Sequence, residues 1–182
     1  MPEPDEEYRA IDATRNIERL ALERLWPFIR QRAFNGQYVV TSKGPLASEL
    51  QRTVGDVLYN TDKETIVSVE IKAELANKWD NFFLETWSNL SRLTIGWMFT
   101  LRADWLFYYF LESDELHIIP LPKLQRWAFI EKKIYDFPEC KQGKYVQLND
   151  SWGRCVPIKV LQKELKLRPQ FRIQASVMDE VA

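Results

Sequence analysis

The sequence predicts an α/β fold in one domain, a small mixed β-sheet flanked by α-helices. Three observations carry that prediction. Residues from about Tyr8 to Gln31 place apolar side chains at helical spacing, and two β-prone runs, Val57-Leu58-Tyr59 and Thr65 to Lys72, are joined by a polar turn. The third is Asp104 to Leu111, an almost continuous apolar run of strand length, as expected of a central strand covered on both faces. At 182 residues the chain is long enough for one domain with a full core and short for two.

The elements follow in order. In the first helix, Ile11, Ile17, Leu20, Ala21, Leu25 and Phe28 form the apolar stripe, Asp12 or Thr14 can cap the main body, and Pro27 is expected to bend or end it. Asn35-Gly36 reads as a turn, Gln37 to Thr41 as a short strand, and Pro45 to Thr53 as a helical segment with the proline near its start. Asn60 to Glu64 is turn chemistry, closing a hairpin between the two β-prone runs. Along the second run Val67, Val69 and Ile71 share one face and Ser68, Glu70 and Lys72 the other, because alternate strand residues point to the same side. Folding back at the turn brings Asp56 to within about one residue of the level of Glu70.

Ala73 to Asp80 is a polar connection, and Asn81 to Trp87 is β-prone and aromatic. A short segment, Gly96 to Ala103, leads into the apolar run. After a turn at Ser113-Asp114-Glu115 come a strand, Leu116 to Pro120, and a helix, Leu121 to Lys133, carrying Leu124, Trp127 and Ala128. Tyr145 to Leu148 is expected as an edge strand and Val156 to Leu167 as the last helix, with Val160, Leu161 and Leu165 inside. The tail from Pro169 is expected to be poorly ordered. The core is expected over about residues 8 to 133, with a C-terminal extension over 134–182.

Composition removes several function classes. His117 is the only histidine, which excludes His-based zinc sites, Ser-His-Asp triads and paired-His catalysis; within an apolar strand it reads as structural. Cys140 and Cys155 lack metal-type spacing and are too few for a disulfide framework, which fits a reducing compartment. No apolar stretch reaches the length of a membrane span, and the first seven residues are acidic, unlike a secretory signal, so a cytoplasmic protein is expected. The seven tryptophans and the run Trp105 to Phe110 are expected mostly in the core rather than as a base-stacking platform. The formal net charge of −1 supplies no global field toward nucleic acid, but from Lys123 to Arg172 there are twelve Lys/Arg against five Asp/Glu. That excess reads either as a solvated face or as a phosphate-contacting flank.

Glu70-x-Lys72 alone is what an exposed surface pair looks like. Asp56 on the adjoining strand adds to it, since two carboxylates and an amine are the minimum set that can hold a divalent cation and activate a water for phosphodiester cleavage. With Gly55-Asp56 followed by Glu70-Ile71-Lys72 after a hairpin turn, the chain resembles the PD-(D/E)xK nuclease superfamily, whose core is restriction endonuclease-like. The strand ending in Phe83-Leu84-Glu85, the Gly96-Trp97 to Asp104-Trp105 segment and the strand Leu116 to Pro120 with its helix resemble small phage and bacterial members. The resemblance covers about Leu50 to Trp127 and the helix before it; Gly55 stands where the family name writes proline.

That resemblance implies a metal-dependent nuclease hydrolysing phosphodiester bonds in DNA, with Mg²⁺ or Mn²⁺ as cofactor. Asp56 and Glu70 would supply carboxylate ligands, the Ile71 main-chain carbonyl a further one, and Lys72 would orient the water and offset charge on the phosphate. Glu85 matches an additional acid, Gln51 a polar residue near such sites, and Glu18 or Glu23 the helix carboxylate of resolvase-like members. DNA is the expected partner, a homodimer fits the need of a duplex cutter to reach two strands, and no membrane association is expected. The alternative is a catalytically inactive protein of the same fold that binds nucleic acid or protein, which the near-zero net charge and high aromatic content favour.

Overall fold

Side-chain alternation on the central strands divides the protein into three layers. The structure, a computed structural model, describes residues 4–41, 47–62, 64–142 and 150–173. In chain order its elements are α1 (Pro4–Arg32), β1 (Tyr38–Val40), α2 (Ala47–Val54), β2 (Val57–Asn60), β3 (Ile66–Glu74), β4 (Asn81–Asn89), β5 (Thr94–Ile95), α3 (Trp97–Thr100), β6 (Trp105–Phe110), β7 (Glu115–Pro120), α4 (Leu121–Gln125), β8 (Glu139–Lys141), β9 (Trp152–Pro157), α5 (Ile158–Leu165) and β10 (Phe171–Arg172). Six strands form a mixed sheet in the order β1-β2-β3-β6-β7-β10, with β3 and β6 parallel and the other pairs antiparallel. Four more, β5-β4-β9-β8, form a second, antiparallel sheet.

Strand β6 is central, and its alternate residues enter two different cores. Phe107 and Tyr109 meet Ala21, Leu25, Phe28 and Ile29 of α1 together with Val57, Val69 and Ile71. Leu106, Tyr108 and Phe110 face the other way, onto Phe82, Leu84 and Val156 of the second sheet and Leu161 and Leu165 of α5. The mixed sheet is thus covered by α1 on one face and by the second sheet with α3, α4 and α5 on the other. Burying both faces is what the continuous apolar run requires.

Asp104 fixes the parallel pairing. Its Oδ2 accepts hydrogen bonds from the Ser68 backbone N–H and from the Ser68 hydroxyl, both at 2.8 Å. The Asp104 N–H returns a bond to Ser68 Oγ at 2.9 Å, so β3 and β6 start in register. Tyr108 ties the layers together: its hydroxyl donates to Glu74 on β3 and accepts the Phe83 N–H of β4 at 3.1 Å. Burial pushes the Tyr108 phenol well above its ordinary value and raises the Glu74 carboxyl too.

Several expectations are corrected. The second sheet has no counterpart in the single sheet expected: Val156 belongs to β9 rather than to the last helix, which starts at Ile158, and Glu139–Lys141 is a strand. Pro27 does not end α1, which continues to Arg32. Residues 171 and 172 are not loose tail but pair with Leu116 and Glu115 of β7, and Ile173 is buried. The helix from Leu121 leaves α-geometry at Arg126, finishes as a wider turn and ends at Ile130. Of the tryptophans only Trp127 is fully buried; Trp79 is 81% exposed and the others are half-buried. The expected strand at 145–148 lies outside the described residues. His117 is buried against Phe82 and Phe110, as a structural residue should be, and burial lowers its pKa.

Tyr108→Phe strands the Phe83 N–H and the Glu74 carboxyl between the layers. Urea denaturation is expected to record a loss of about 2 kcal/mol with an unchanged m-value; a loss below about 0.5 kcal/mol would mean that this hydroxyl does not join the sheets.

Candidate functional site

The site forms where β2 stops following β3. Val57 is the last paired residue of β2, opposite Val69, so Asp56 stands level with Glu70, as the hairpin arithmetic predicted. Gly55 makes this departure feasible. Its φ is +86°, and a Cβ there would lie 2.7 Å from the Val69 carbonyl oxygen, so both the backbone conformation and the close approach require glycine. Buried Thr41 then holds the segment: its hydroxyl donates to the Gly55 carbonyl and its N–H to the Asp56 carbonyl at 2.9 Å.

Past Val57 no strand residue pairs with Ile71 from the β2 side, and the Asp56 side chain substitutes for one. Asp56 Oδ2 accepts the Ile71 N–H at 2.8 Å, while its main-chain N–H donates to the Val69 carbonyl at 2.8 Å. Because a strand residue directs its N–H and C=O to the same side, the Ile71 carbonyl also faces the space that β2 has left. The second carboxylate oxygen, Asp56 Oδ1, accepts a hydrogen bond from Gln51 Nε2 on α2 at 3.2 Å.

Glu70 and Lys72 project from the face of β3 that meets the second layer, and their side chains touch, Nζ to Oε1 2.6 Å. Glu70 is only 5% exposed. Burial raises its pKa to about 7; Lys72 pulls it down, and the charges of Asp56 and Glu18 push it up. Burial depresses the Lys72 ammonium, but Glu70 and Asp56 outweigh this and hold its pKa above the ordinary value. Trp97, the first residue of α3, covers Lys72 with its ring centroid 5.8 Å from Nζ.

The fold therefore brings Asp56, Glu70, Lys72 and Gln51 together, with the Ile71 carbonyl directed toward them. Of the two helix carboxylates, Glu18 is close enough for Glu70 and Lys72 to feel its charge, whereas Glu23 pairs with Arg19 on the exposed side of α1. Glu85 bonds to Trp97, the residue whose ring lies over Lys72. It lies on β4, where Oε2 accepts the Ser151 hydroxyl at 2.7 Å and Oε1 the Trp97 N–H at 3.4 Å, which helps hold α3 in place. Sequence reasoning missed Thr41 and Trp97, which lie 15 residues before Asp56 and 25 after Lys72 and carry no spacing signal. Much of the basic excess is consumed locally: Arg126, Lys133, Lys141, Arg154 and Lys159 all pair with carboxylates.

In chemical terms the site offers two carboxylates, a directed main-chain carbonyl and one ammonium group. Asp56 and Glu70 repel each other, and Glu70 is held in a setting that disfavours its charge; both conditions are relieved by a cation. Among the described residues no group of three or more His, Cys, Asp and Glu side chains converges to hold a metal, so any cation here would depend on the carbonyl and on water to complete its shell. No helix among the described residues is long and apolar enough to cross a membrane. No known protein family matches the chain, and no curated protein or solved structure shows significant similarity to it.

A carboxyl whose folded pKa is raised favours folding below its unfolded value and loses that contribution as pH climbs from about 4.5 through about 7. An NMR titration of the Glu70 carboxyl in metal-free protein is expected to have its midpoint near 7. In Lys72→Met the midpoint should move up by about one unit or more. A wild-type midpoint near 4.5 would contradict the burial of Glu70.

Proposed function

We propose that this protein is a metal-dependent nuclease of the PD-(D/E)xK type, with a restriction endonuclease-like core, that hydrolyses phosphodiester bonds in DNA. The observation that carries the reading is the convergence of Asp56, Glu70 and Lys72 at the point where β2 leaves β3, with Asp56 bonded to the Ile71 N–H. The element order adds support: a helix, a three-stranded antiparallel run β1-β2-β3, then a crossover to β6 parallel to β3. In this chain the crossover is built from β4, β5 and α3.

The donor set fits a hard divalent cation, since every candidate ligand is oxygen. Mg²⁺ or Mn²⁺ would be held by Asp56, Glu70 and the Ile71 carbonyl, and would supply an acidified water and positive charge at the scissile phosphate. The chain's own residues do the rest. Gln51 holds one Asp56 oxygen, which orients the carboxylate. Lys72, anchored by Glu70 and covered by Trp97, presents a fixed positive charge to a phosphate whose negative charge grows in the transition state. Glu18, on α1, adds negative charge that Glu70 and Lys72 feel. Burial of Glu70 means that the cation competes with a proton, so affinity rises with pH up to and beyond about 7.

One observation favours a second reading, a non-catalytic binding module on the same fold: the Lys72 ammonium lies 2.6 Å from Glu70 and offsets its charge. The two are separated by incubating purified protein with linear, single-stranded and branched DNA in Mg²⁺ or Mn²⁺, alongside calorimetry with Mn²⁺. The nuclease reading expects cleavage, a loss of at least about 100-fold in Lys72→Ala and Asp56→Asn, and Mn²⁺ binding that vanishes in Asp56→Asn. Equal cutting by wild type and Lys72→Ala would overturn it, and DNA binding with neither cleavage nor Asp56-dependent Mn²⁺ binding would leave the binding module.

A further inference from the structure

Cys140 and Cys155 are the only cysteines in the chain, and their separation in sequence suggests neither a disulfide nor a metal motif. The fold brings them into contact. Strands β8 and β9 pair antiparallel with Cys140 opposite Gly153, which puts Cys155 two residues along on the same face, in the diagonal position where side chains of neighbouring strands meet. The two Sγ atoms lie 2.7 Å apart, and both residues are half-buried, so a small reagent can reach the pair.

We propose that Cys140 and Cys155 form a reversible redox site, a cross-strand dithiol that a small-molecule disulfide such as oxidised glutathione converts to an intramolecular disulfide. Burial and contact with Cys140 push the Cys155 thiol up to about 12, and the first attack is assigned to Cys140. The Cys140 thiolate attacks one sulfur of the oxidised glutathione, breaking its S–S bond and releasing one glutathione thiolate. Cys155 Sγ then attacks Cys140 Sγ of the mixed disulfide, and its proton passes to the second departing glutathione. Two protein thiols are oxidised and one small disulfide is reduced to two thiols, so the exchange balances.

The bond would staple β8 to β9. Strand β9 is the partner of β4 along most of the second sheet, and Gly153 packs so closely on β4 that a Cβ there would meet the Leu84 carbonyl oxygen at 2.6 Å. Oxidation therefore stiffens the hairpin that braces the layer over the mixed sheet, and reduction releases it. This inference is independent of the nuclease reading.

The test equilibrates the full chain in glutathione buffers of stepped ratio, blocks remaining thiols with a polyethylene-glycol maleimide, and counts them by gel shift. A second sample unfolded in urea serves as the reference for unrestrained thiols. The expected result is loss of both thiols together at a more reducing ratio than in urea, with a Cys140–Cys155 peptide linked within one chain. The melting temperature of the oxidised form should rise by about 5–10 °C. In Cys155→Ser the reaction should stop at a glutathione adduct on Cys140. Persistence of both thiols in the folded protein at the most oxidising ratio, a stable glutathione adduct in the wild type, or a link between two chains would each overturn the proposal.

Discussion

A backbone N–H buried in a sheet must find an acceptor, and at Ile71 that acceptor is a side chain. Pairing with β2 stops at Val57, so β3 runs on without a strand neighbour on that side, and Asp56 Oδ2 takes the Ile71 N–H at 2.8 Å. This one bond fixes where the Asp56 carboxylate sits relative to Glu70 and Lys72. The positive φ of Gly55 and the two anchors from Thr41 turn the chain away at that residue, and Gln51 occupies the remaining Asp56 oxygen. The three side chains converge because hydrogen-bonding requirements of the sheet leave Asp56 one place to go.

Layering sets the chemistry at that point. Ser68, Glu70, Lys72 and Glu74 share the face of β3 that turns toward the second layer, so Ser68 and Glu70 are buried and Lys72 and Glu74 half-buried. Each polar group there has a stated partner: Ser68 has Asp104, Glu70 has Lys72, and Glu74 has Tyr108. Glu70 is distinct in feeling the charges of two further acids, Asp56 and Glu18, which oppose its ionisation while Lys72 assists it. Two carboxylates beside one ammonium, with the charge of Glu18 felt as well, leave an excess of negative charge that a hard cation would relieve.

Periodicity made much of this legible. The alternation in 65–72 and the continuous run 104–111 placed β3 and β6 correctly, and the turn chemistry at 60–64 set the hairpin register that brings Asp56 level with Glu70. Gln51 was legible as a polar residue upstream of Asp56 within a helical segment; its hydrogen bond to the Asp56 carboxylate was not. The second sheet was illegible because β9 ends in Cys155-Val156-Pro157 and runs into α5 without a break, so Val156 carries a helical spacing that strand pairing overrides. Glu85 was offered as an additional acid by the resemblance alone, and its hydrogen-bond partners, Ser151 and Trp97, come from segments 66 and 12 residues away. The thiol pair escaped for the same reason: contact depended on the β8–β9 register and not on any local pattern.

The central claim is that Asp56, Glu70 and the Ile71 carbonyl form a cation site. Crystals grown in Mn²⁺ and measured at a wavelength where manganese scatters anomalously address it directly. The expected result is one anomalous peak about 2–2.5 Å from a carboxylate oxygen of Asp56, a carboxylate oxygen of Glu70 and the Ile71 carbonyl oxygen, absent in Asp56→Asn crystals. Wild-type crystals with no peak at that position, the Lys72 to Glu70 contact undisturbed, would contradict it.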